Sequence, residues 1–161
     1  MAFEFEVRPY DDPDVVRMVA DVQAEYVGMY GGPDSAVVTL TEFAPPDGLF
    51  VVGVLDGLAV ATGGWRRRSE QDGAQAEIKR MYVAPAARGR GLSRLVLAEL
   101  ERTALAAGVR RLVLNTGQPQ QPAIALYRSA GYRPAAPFGH YADSPSAVFL
   151  GKDLVPATTR W

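Results

Sequence analysis

An arginine- and glycine-rich loop is the stretch of this sequence best suited to binding a charged ligand. It reads Arg88-Gly89-Arg90-Gly91 and opens a helical pattern that begins at Leu92. The first amides of a helix have no partner within the helix and lie at the positive end of its dipole. Glycine lets an anion approach that backbone without meeting a Cβ, and the arginines add positive charge at the rim. We interpret the loop as a cradle for a pyrophosphate.

Other interpretations of the loop alone remain open. It could be an ordinary strand-to-helix turn or a basic patch for nucleic acid, since short glycine motifs also match by chance. A net charge of −1 disfavours nucleic-acid binding, although residues 66–68, three consecutive arginines, could form a small basic spot. A dinucleotide-binding domain is disfavoured because Leu-Ser follows the Gly-x-Gly where that motif needs a third spaced glycine.

The flanking residues add a family resemblance. The loop with Leu92 and Ser93 resembles the Arg/Gln-x-x-Gly-x-Gly/Ala acetyl-CoA signature of the GNAT superfamily of N-acetyltransferases. Residues 77–83 resemble the central strand of that family, and residues 123–132 resemble its late helix with the pattern Leu-Tyr-x-x-x-Gly-Tyr/Phe. Ser93 departs from the pattern, because the family usually has Gly or Ala there, but serine is small enough to keep the turn.

This resemblance implies a site for acetyl-CoA as co-substrate. It places the pyrophosphate on the glycine loop and the pantetheine arm along the backbone of the central strand. Gln120 lies where relatives often carry an asparagine that touches this arm. The implied cofactor-binding residues are Met81, Val83, Arg88, Gly89, Arg90, Gly91, Leu92, Ser93 and Gln120.

Two residues are candidates for catalysis. Glu77 begins an apolar strand, where burial would make its carboxylate a stronger base, and the resemblance implies that it deprotonates the acceptor amine. The alternative is a structural carboxylate paired with Lys79 or Arg80. Tyr127 is implied to protonate the leaving thiolate. It shares a helical face with apolar neighbours, so a purely core role is its alternative.

The elements that would position these groups follow from periodicity and turn residues. Residues 3–7 alternate as a half-buried strand, and an Asp12-Pro13 start predicts a helix that ends over residues 28–33. Runs at 49–55 and 58–65 flank Asp56-Gly57, which predicts an antiparallel hairpin. A short helix is expected near residues 39–43. The first helix is predicted to bury Val15, Met18, Val19, Val22 and Tyr26.

The second half of the chain is predicted to alternate helices and strands. After the strand at 77–83 comes a helix from Leu92 to a cap at Gly108, then a strand over 112–114, a short helix from Pro122 to Gly131 and a last strand over 147–150. The buried stripe of the Leu92 helix is expected to be Leu95, Val96, Leu100 and Ala104. With the resemblance, this predicts an α/β fold with a mixed, mostly antiparallel sheet of about six to seven strands, helices on both faces and a splayed central strand pair.

Composition narrows the class of protein. The 161 residues, 48% of them apolar, are expected to form a single domain over 1–161. Absence of cysteine excludes disulfides and thiolate nucleophiles, and His140, the one histidine, cannot by itself build a zinc site. No apolar run is long enough to span a membrane, and the N-terminus is unlike a signal peptide, so the expectation is a cytoplasmic protein without membrane or nucleic-acid partners. A homodimer is left open.

We expect an N-acetyltransferase that passes acetyl directly to a primary amine of a small molecule or peptide. The alternative is a non-catalytic acyl-CoA-binding or regulatory module. Residues expected near the acceptor, none of them decisive alone, are Glu25, Tyr26, Tyr30, Trp65, Arg66, His140 and Tyr141.

Overall fold

The fold is a seven-stranded sheet with helices on both faces. A computed structural model describes residues 2–68 and 73–155. In chain order the elements are β1 (Phe3–Val7), α1 (Pro13–Tyr30), a 3₁₀ helix (Leu40–Phe43), β2 (Gly48–Leu55), β3 (Leu58–Arg67), β4 (Gln75–Val83), a 3₁₀ turn (Pro85–Ala87), α2 (Leu92–Ala106), β5 (Arg111–Gly117), α3 (Gln121–Ser129), β6 (Arg133–Pro134) and β7 (Ala147–Asp153).

The strand order is β1-β2-β3-β4-β5-β7-β6, and every neighbouring pair is antiparallel except β4 and β5. The predicted fold class is therefore confirmed. Asp56 and Gly57 have φ of 49° and 86° at the β2–β3 turn, as a two-residue hairpin with positive φ at both positions requires. The short strand β6 was not predicted, because two residues carry no periodicity.

Helix α1 covers one face of the sheet. Asp12 caps it by accepting hydrogen bonds from the amides of Asp14 (2.9 Å) and Val15 (3.3 Å). The helix passes through Gly28 and is capped by the left-handed Gly31, which has φ of 81°, so it ends within the predicted range of residues 28–33. Buried residues of α1 and of strands β2 and β4 form one apolar cluster: Val15, Met18, Val22, Phe50, Val52, Val54 and Tyr82.

Helices α2 and α3 cover the other face. The buried stripe of α2 is Leu92, Val96, Leu97, Leu100 and Ala104. The prediction for Leu95 is wrong, because this side chain is 45% exposed. The stripe runs through Leu92, Val96 and Leu100 at steps of four, and this leaves Leu95 on the side turned toward solvent.

The two central strands separate as predicted. Within the described residues the β4–β5 ladder consists of three pairs, Gln75–Arg111, Ala76–Leu112 and Glu77–Val113. Beyond Glu77 the strands diverge, because β4 continues to pair with β3 while β5 pairs with β7. The divergence opens the sheet between α1 on one face and α2 and α3 on the other.

A bulge in β4 marks the point of divergence. Thr62 pairs with Tyr82 and Gly64 pairs with Lys79, so the single residue Gly63 lies opposite two residues of β4. One of the two, Arg80, has φ of 60°, which is uncommon for a residue other than glycine. The extra residue breaks the alternation of the strand, so Lys79 and Arg80 both reach the loop that follows α1.

Candidate active site

A cavity of about 1010 Å³ fills the opening between β4 and β5. Both strands line it, together with the C-terminal end of α1, the N-terminal ends of α2 and α3 and the loop before β7. The predicted site residues on its lining are Glu77, Met81, Val83, Arg88, Gly91, Ser93, Gln120 and Tyr127. Gly89 and Arg90 lie beside it in the exposed loop, and Leu92 is buried in the core under α2.

The N-terminus of α2 is open to an anion. Gly89 and Gly91 have φ of 81° and 74°, and a Cβ built on either would meet nothing within 4 Å. Gly91 is the N-cap, so no side chain accepts hydrogen bonds from the first amides of the helix. An anion can therefore satisfy these amides, with the helix dipole favouring negative charge.

Arg88 ties this loop to β4 and α1. Its Nε donates to the carbonyl of Val83 (2.8 Å), and its Nη2 donates to Glu25 Oε2 (2.7 Å). The Val83 carbonyl, which the resemblance assigned to the cofactor arm, is thus engaged by the arginine of the same motif. Arg94, in the first turn of α2, also lines the cavity and donates to Ser129 Oγ (2.9 Å).

Tyr127 lies in the core and on the cavity at once. Its side chain is 7% exposed, and its ring packs against Tyr132 at a centroid distance of 5.8 Å. The hydroxyl donates to Met81 Sδ at 3.6 Å, which is a weak contact because a thioether is a poor acceptor. Burial, with a smaller effect of Tyr26, raises the pKa of Tyr127 well above its ordinary value, so the phenol stays protonated at neutral pH.

Glu77 is 5% exposed, and its carboxylate forms an ion pair with a side chain of the neighbouring strand β3. Arg66, its register partner on β3, donates from Nε to Glu77 Oε1 (3.1 Å) and from Nη1 to Glu42 (2.8 Å). Lys79 Nζ lies 4.0 Å from the other oxygen of Glu77. The structural alternative named Lys79 or Arg80 as its partner, but the hydrogen-bonded partner is Arg66.

Asp34 is a cavity residue that sequence reasoning missed. Its Oδ2 accepts from Lys79 Nζ (2.8 Å) and Arg80 Nη1 (2.6 Å), and its Oδ1 accepts from the hydroxyl of Tyr141 (2.8 Å). Desolvation alone would raise the pKa of Asp34, but the charge of Lys79 and the hydrogen bonds from Lys79, the Ala36 amide and Arg80 outweigh it and hold the pKa well below its ordinary value. The signal in the sequence was the adjacent pair Lys79-Arg80 within an apolar strand, which breaks the alternation of a regular strand.

Tyr30 and Gln120 bridge the mouth of the cavity. Gln120 is the N-cap residue of α3, and its Nε2 donates to the hydroxyl of Tyr30 (2.7 Å) at the end of α1. The Tyr30 ring lies against Gly117, where a Cβ would collide with it. The amide expected to meet the cofactor arm is thus held across the opening.

The residues expected near the acceptor divide into four that line the cavity and three that do not, Trp65, His140 and the Arg66 already described as the partner of Glu77. Glu25, Tyr26, Tyr30 and Tyr141 line the cavity. Trp65 lies on the α2 side, where its Nε1 donates to Thr103 (3.1 Å), and His140 is on the surface with its Nε2 3.0 Å from Ser35 Oγ.

Two further features concern the described part of the chain as a whole. Residues 2–68 and 73–155 include no group of three or more His, Asp or Glu side chains placed to hold a metal ion. None of the helices in this part is both long and apolar enough to cross a membrane.

Known proteins resemble this chain over most of its length. A model of the acetyltransferase (GNAT) family matches residues 15–132. An IAA acetyltransferase from Azospirillum brasilense is 35% identical over 140 residues, covering 87% of this chain and 90% of that protein. A crystal structure assigned as an acyl-CoA N-acyltransferase from Klebsiella pneumoniae subsp. pneumoniae has a TM-score of 0.81 at 27% identity, covering 95% of this chain and 98% of that one. PaiA N-acetyltransferase from Thermoplasma acidophilum, solved with coenzyme A, has a TM-score of 0.71 at 14% identity, covering 95% and 99% of the chains.

Proposed function

Because the chain belongs to the acetyltransferase (GNAT) family and is thus an acetyl-CoA-dependent acetyltransferase, we propose that it passes the acetyl group directly to a primary amine of a small molecule or peptide. One observation carries this proposal. A single cavity joins the open N-terminus of α2 to Glu77 and Tyr127 through the gap between β4 and β5. A thioester lying in this gap would have a carboxylate near one end and a phenol beside it.

The cofactor would be held mainly by backbone groups. We assign its pyrophosphate to the amides of residues 89–93, with Arg88 and Arg90 adding positive charge. The pantetheine arm would follow β4 at Met81 and Val83, where β4 has no ladder pairing with β5, and would pass Gln120. To admit the arm at Val83 and Gln120, the contacts of Arg88 with Val83 and of Gln120 with Tyr30 would have to rearrange.

The chemistry needs one proton removed and one supplied. The acceptor loses a proton to Glu77, directly or through water, and its neutral nitrogen attacks the thioester carbonyl. In this proposal the backbone N–H of Met81 polarises this carbonyl as negative charge grows on its oxygen. As the tetrahedral intermediate collapses, the C–S bond breaks and Tyr127 protonates the thiolate of coenzyme A.

Direct transfer is favoured over an acyl-enzyme because, among residues 2–68 and 73–155, no serine on the cavity lining belongs to a complete nucleophile–base–carboxylate triad. The chain has no cysteine. Ser129 donates to the carbonyl of Leu126 (2.7 Å) and accepts from Arg94, and the ring of His140 is bonded to Ser35 and lies outside the cavity. Ser35 does line the cavity beside His140, but both side chains are exposed. In the described part of the chain no carboxylate hydrogen-bonds to the His140 ring to orient it, so the pair lacks the third group of an activated nucleophile.

The test is thiol release from acetyl-CoA with a broad panel of primary amines, with mass spectrometry of the products and of the intact protein. We expect coenzyme A and an N-acetylated amine in equal amounts, and no acetylated protein when the amine is left out. Acetyl-CoA binding without thiol release from any amine would favour the non-catalytic module. Acetylated protein that accumulates without amine would contradict direct transfer.

A further inference from the structure

Three charged side chains of β4 and three from neighbouring segments form two adjacent groups of opposite net charge. The negative group is Glu42, Arg66 and Glu77, in which one guanidinium contacts two carboxylates at 2.8 and 3.1 Å. The positive group is Lys79, Asp34 and Arg80, in which two cations contact one carboxylate at 2.8 and 2.6 Å. The groups meet where Lys79 Nζ lies 4.0 Å from Glu77 Oε2. Each group carries one net charge, so a dipole runs along the strand.

The positive group forms part of the cavity wall. The side chains of Lys79 and Arg80 are only 6% and 4% exposed, yet both line the cavity. In the part of the chain that the structure describes, Asp34 is the one carboxylate that hydrogen-bonds to both cations. The next carboxylate, Glu77, lies 4.0 Å from Lys79 Nζ, beyond hydrogen-bond distance, so an anion in the cavity can still accept hydrogen bonds from this group. The bulge that directs both cations to this side holds Arg80 at φ of 60°, and strained backbone of this kind is concentrated at functional sites.

The positive group also has hydrogen-bond donors to spare. Arg80 uses Nη1 for Asp34 and Nε for the hydroxyl of Tyr10. Within residues 2–68 and 73–155, its Nη2 donates no hydrogen bond. Lys79 has three N–H donors, and Asp34 accepts from one of them at 2.8 Å.

We propose that the acceptor is an α-amino acid in its zwitterionic form, a substrate class that rests on the proposed function. Its amino group is held toward Glu77, and its carboxylate is received by Lys79 and Arg80. The two charges of an α-amino acid are separated by a single carbon atom, which suits two oppositely charged groups that come within 4.0 Å of each other. Asp34 lowers the charge of the cation pair to one, so that one carboxylate neutralises it.

The direct test compares each common amino acid with its own carboxamide as acceptor, by thiol release. Both carry the same primary amine and side chain, but the carboxamide lacks the negative charge. We expect kcat/KM to be about 10- to 100-fold higher for the preferred amino acid than for its carboxamide, as for one charge-assisted hydrogen bond. The amine of the carboxamide is the less basic and more often neutral, so an advantage of the amino acid cannot come from amine ionisation.

A pair of lysine variants locates the effect. Lys79→Met removes one cation of the positive group. We expect it to bring the kcat/KM for the amino acid close to the kcat/KM for its carboxamide, that is, to a ratio near one. Lys152→Met is the matched control, because the chain's other lysine contacts Glu101 outside the cavity and its loss should leave the ratio unchanged. Thiol release from simple amines and carboxamides as efficient as from amino acids would overturn this inference alone. Absence of thiol release from every acceptor would overturn the proposed function with it.

Discussion

Replacing Tyr127 by phenylalanine separates its packing from its proposed chemistry. The ring stays in place, and the hydroxyl gives up only the 3.6 Å contact to Met81 Sδ. Losing so weak a bond should lower the free energy of unfolding by less than about 1 kcal/mol. For a chain of this size, about 1 kcal/mol corresponds to about 2–4 °C in Tm, so the shift in Tm should be smaller than that. Removal of a general acid instead lowers turnover by about 100-fold or more, equivalent to about 2.7 kcal/mol of barrier.

Tyr132→Phe is the matched control for this variant. The Tyr132 hydroxyl donates to Glu101 (2.9 Å) outside the cavity, so its loss should lower the free energy of unfolding by about 1 kcal/mol and leave kcat intact. The assay is steady-state thiol release with a saturating amine, together with thermal unfolding and acetyl-CoA titration of each protein. Turnover of Tyr127→Phe equal to that of the unchanged protein would refute the acid role and leave Tyr127 as a core residue.

The other predictions concern the base, the cradle and the buried ion pair. Glu77→Gln should lower kcat/KM by about 100-fold while the Kd for acetyl-CoA stays the same, and a weakened Kd in titration would contradict this. Gly91→Ala should weaken acetyl-CoA binding. Gly108→Ala is its control, because Gly108 has a similar φ of 88° and a Cβ there would also meet nothing within 4 Å. It should show the same backbone strain of about 1–2 kcal/mol and leave the affinity for acetyl-CoA unchanged. Because the pKa of Asp34 is lowered in the folded state, its ion pair contributes stability above about pH 4 that is lost as the pH falls below it. Asp34→Asn should therefore cost about 3 kcal/mol at pH 7 and flatten the pH dependence of urea unfolding below pH 4; an equally steep acid loss in the variant would contradict the assignment.

Local chemistry explains why much of the fold could be predicted. The Asp56-Gly57 turn, the Asp12 cap and the run at Leu112–Leu114 each depend on a few neighbouring residues whose preferences agree with the final structure. Leu95 shows the limit of this approach. The apolar residues around Leu95 do not reveal which side of α2 the sheet covers. That side is set by the packing of α2 against β3 and β4.

The candidate site was predictable where it follows a motif and was missed where it depends on tertiary contacts. The cradle is contiguous in the sequence, and its residues lie together at the cavity. Asp34 lies more than forty residues from Lys79 and Arg80, in a segment without clear periodicity, so only the folded chain brings the three together. The partner of Glu77 was missed for a related reason, since the register of β3 against β4 places Arg66 opposite it. The roles of Glu77 and Tyr127 stay predictions.

A crystal structure of the protein with acetyl-CoA tests the central claim most directly. The account predicts electron density for the pyrophosphate at the amides of residues 89–93 and for the thioester between Met81 and Tyr127, in the gap beyond the Glu77–Val113 pair. Coenzyme density elsewhere, or a gap closed by side chains at saturating acetyl-CoA, would contradict it.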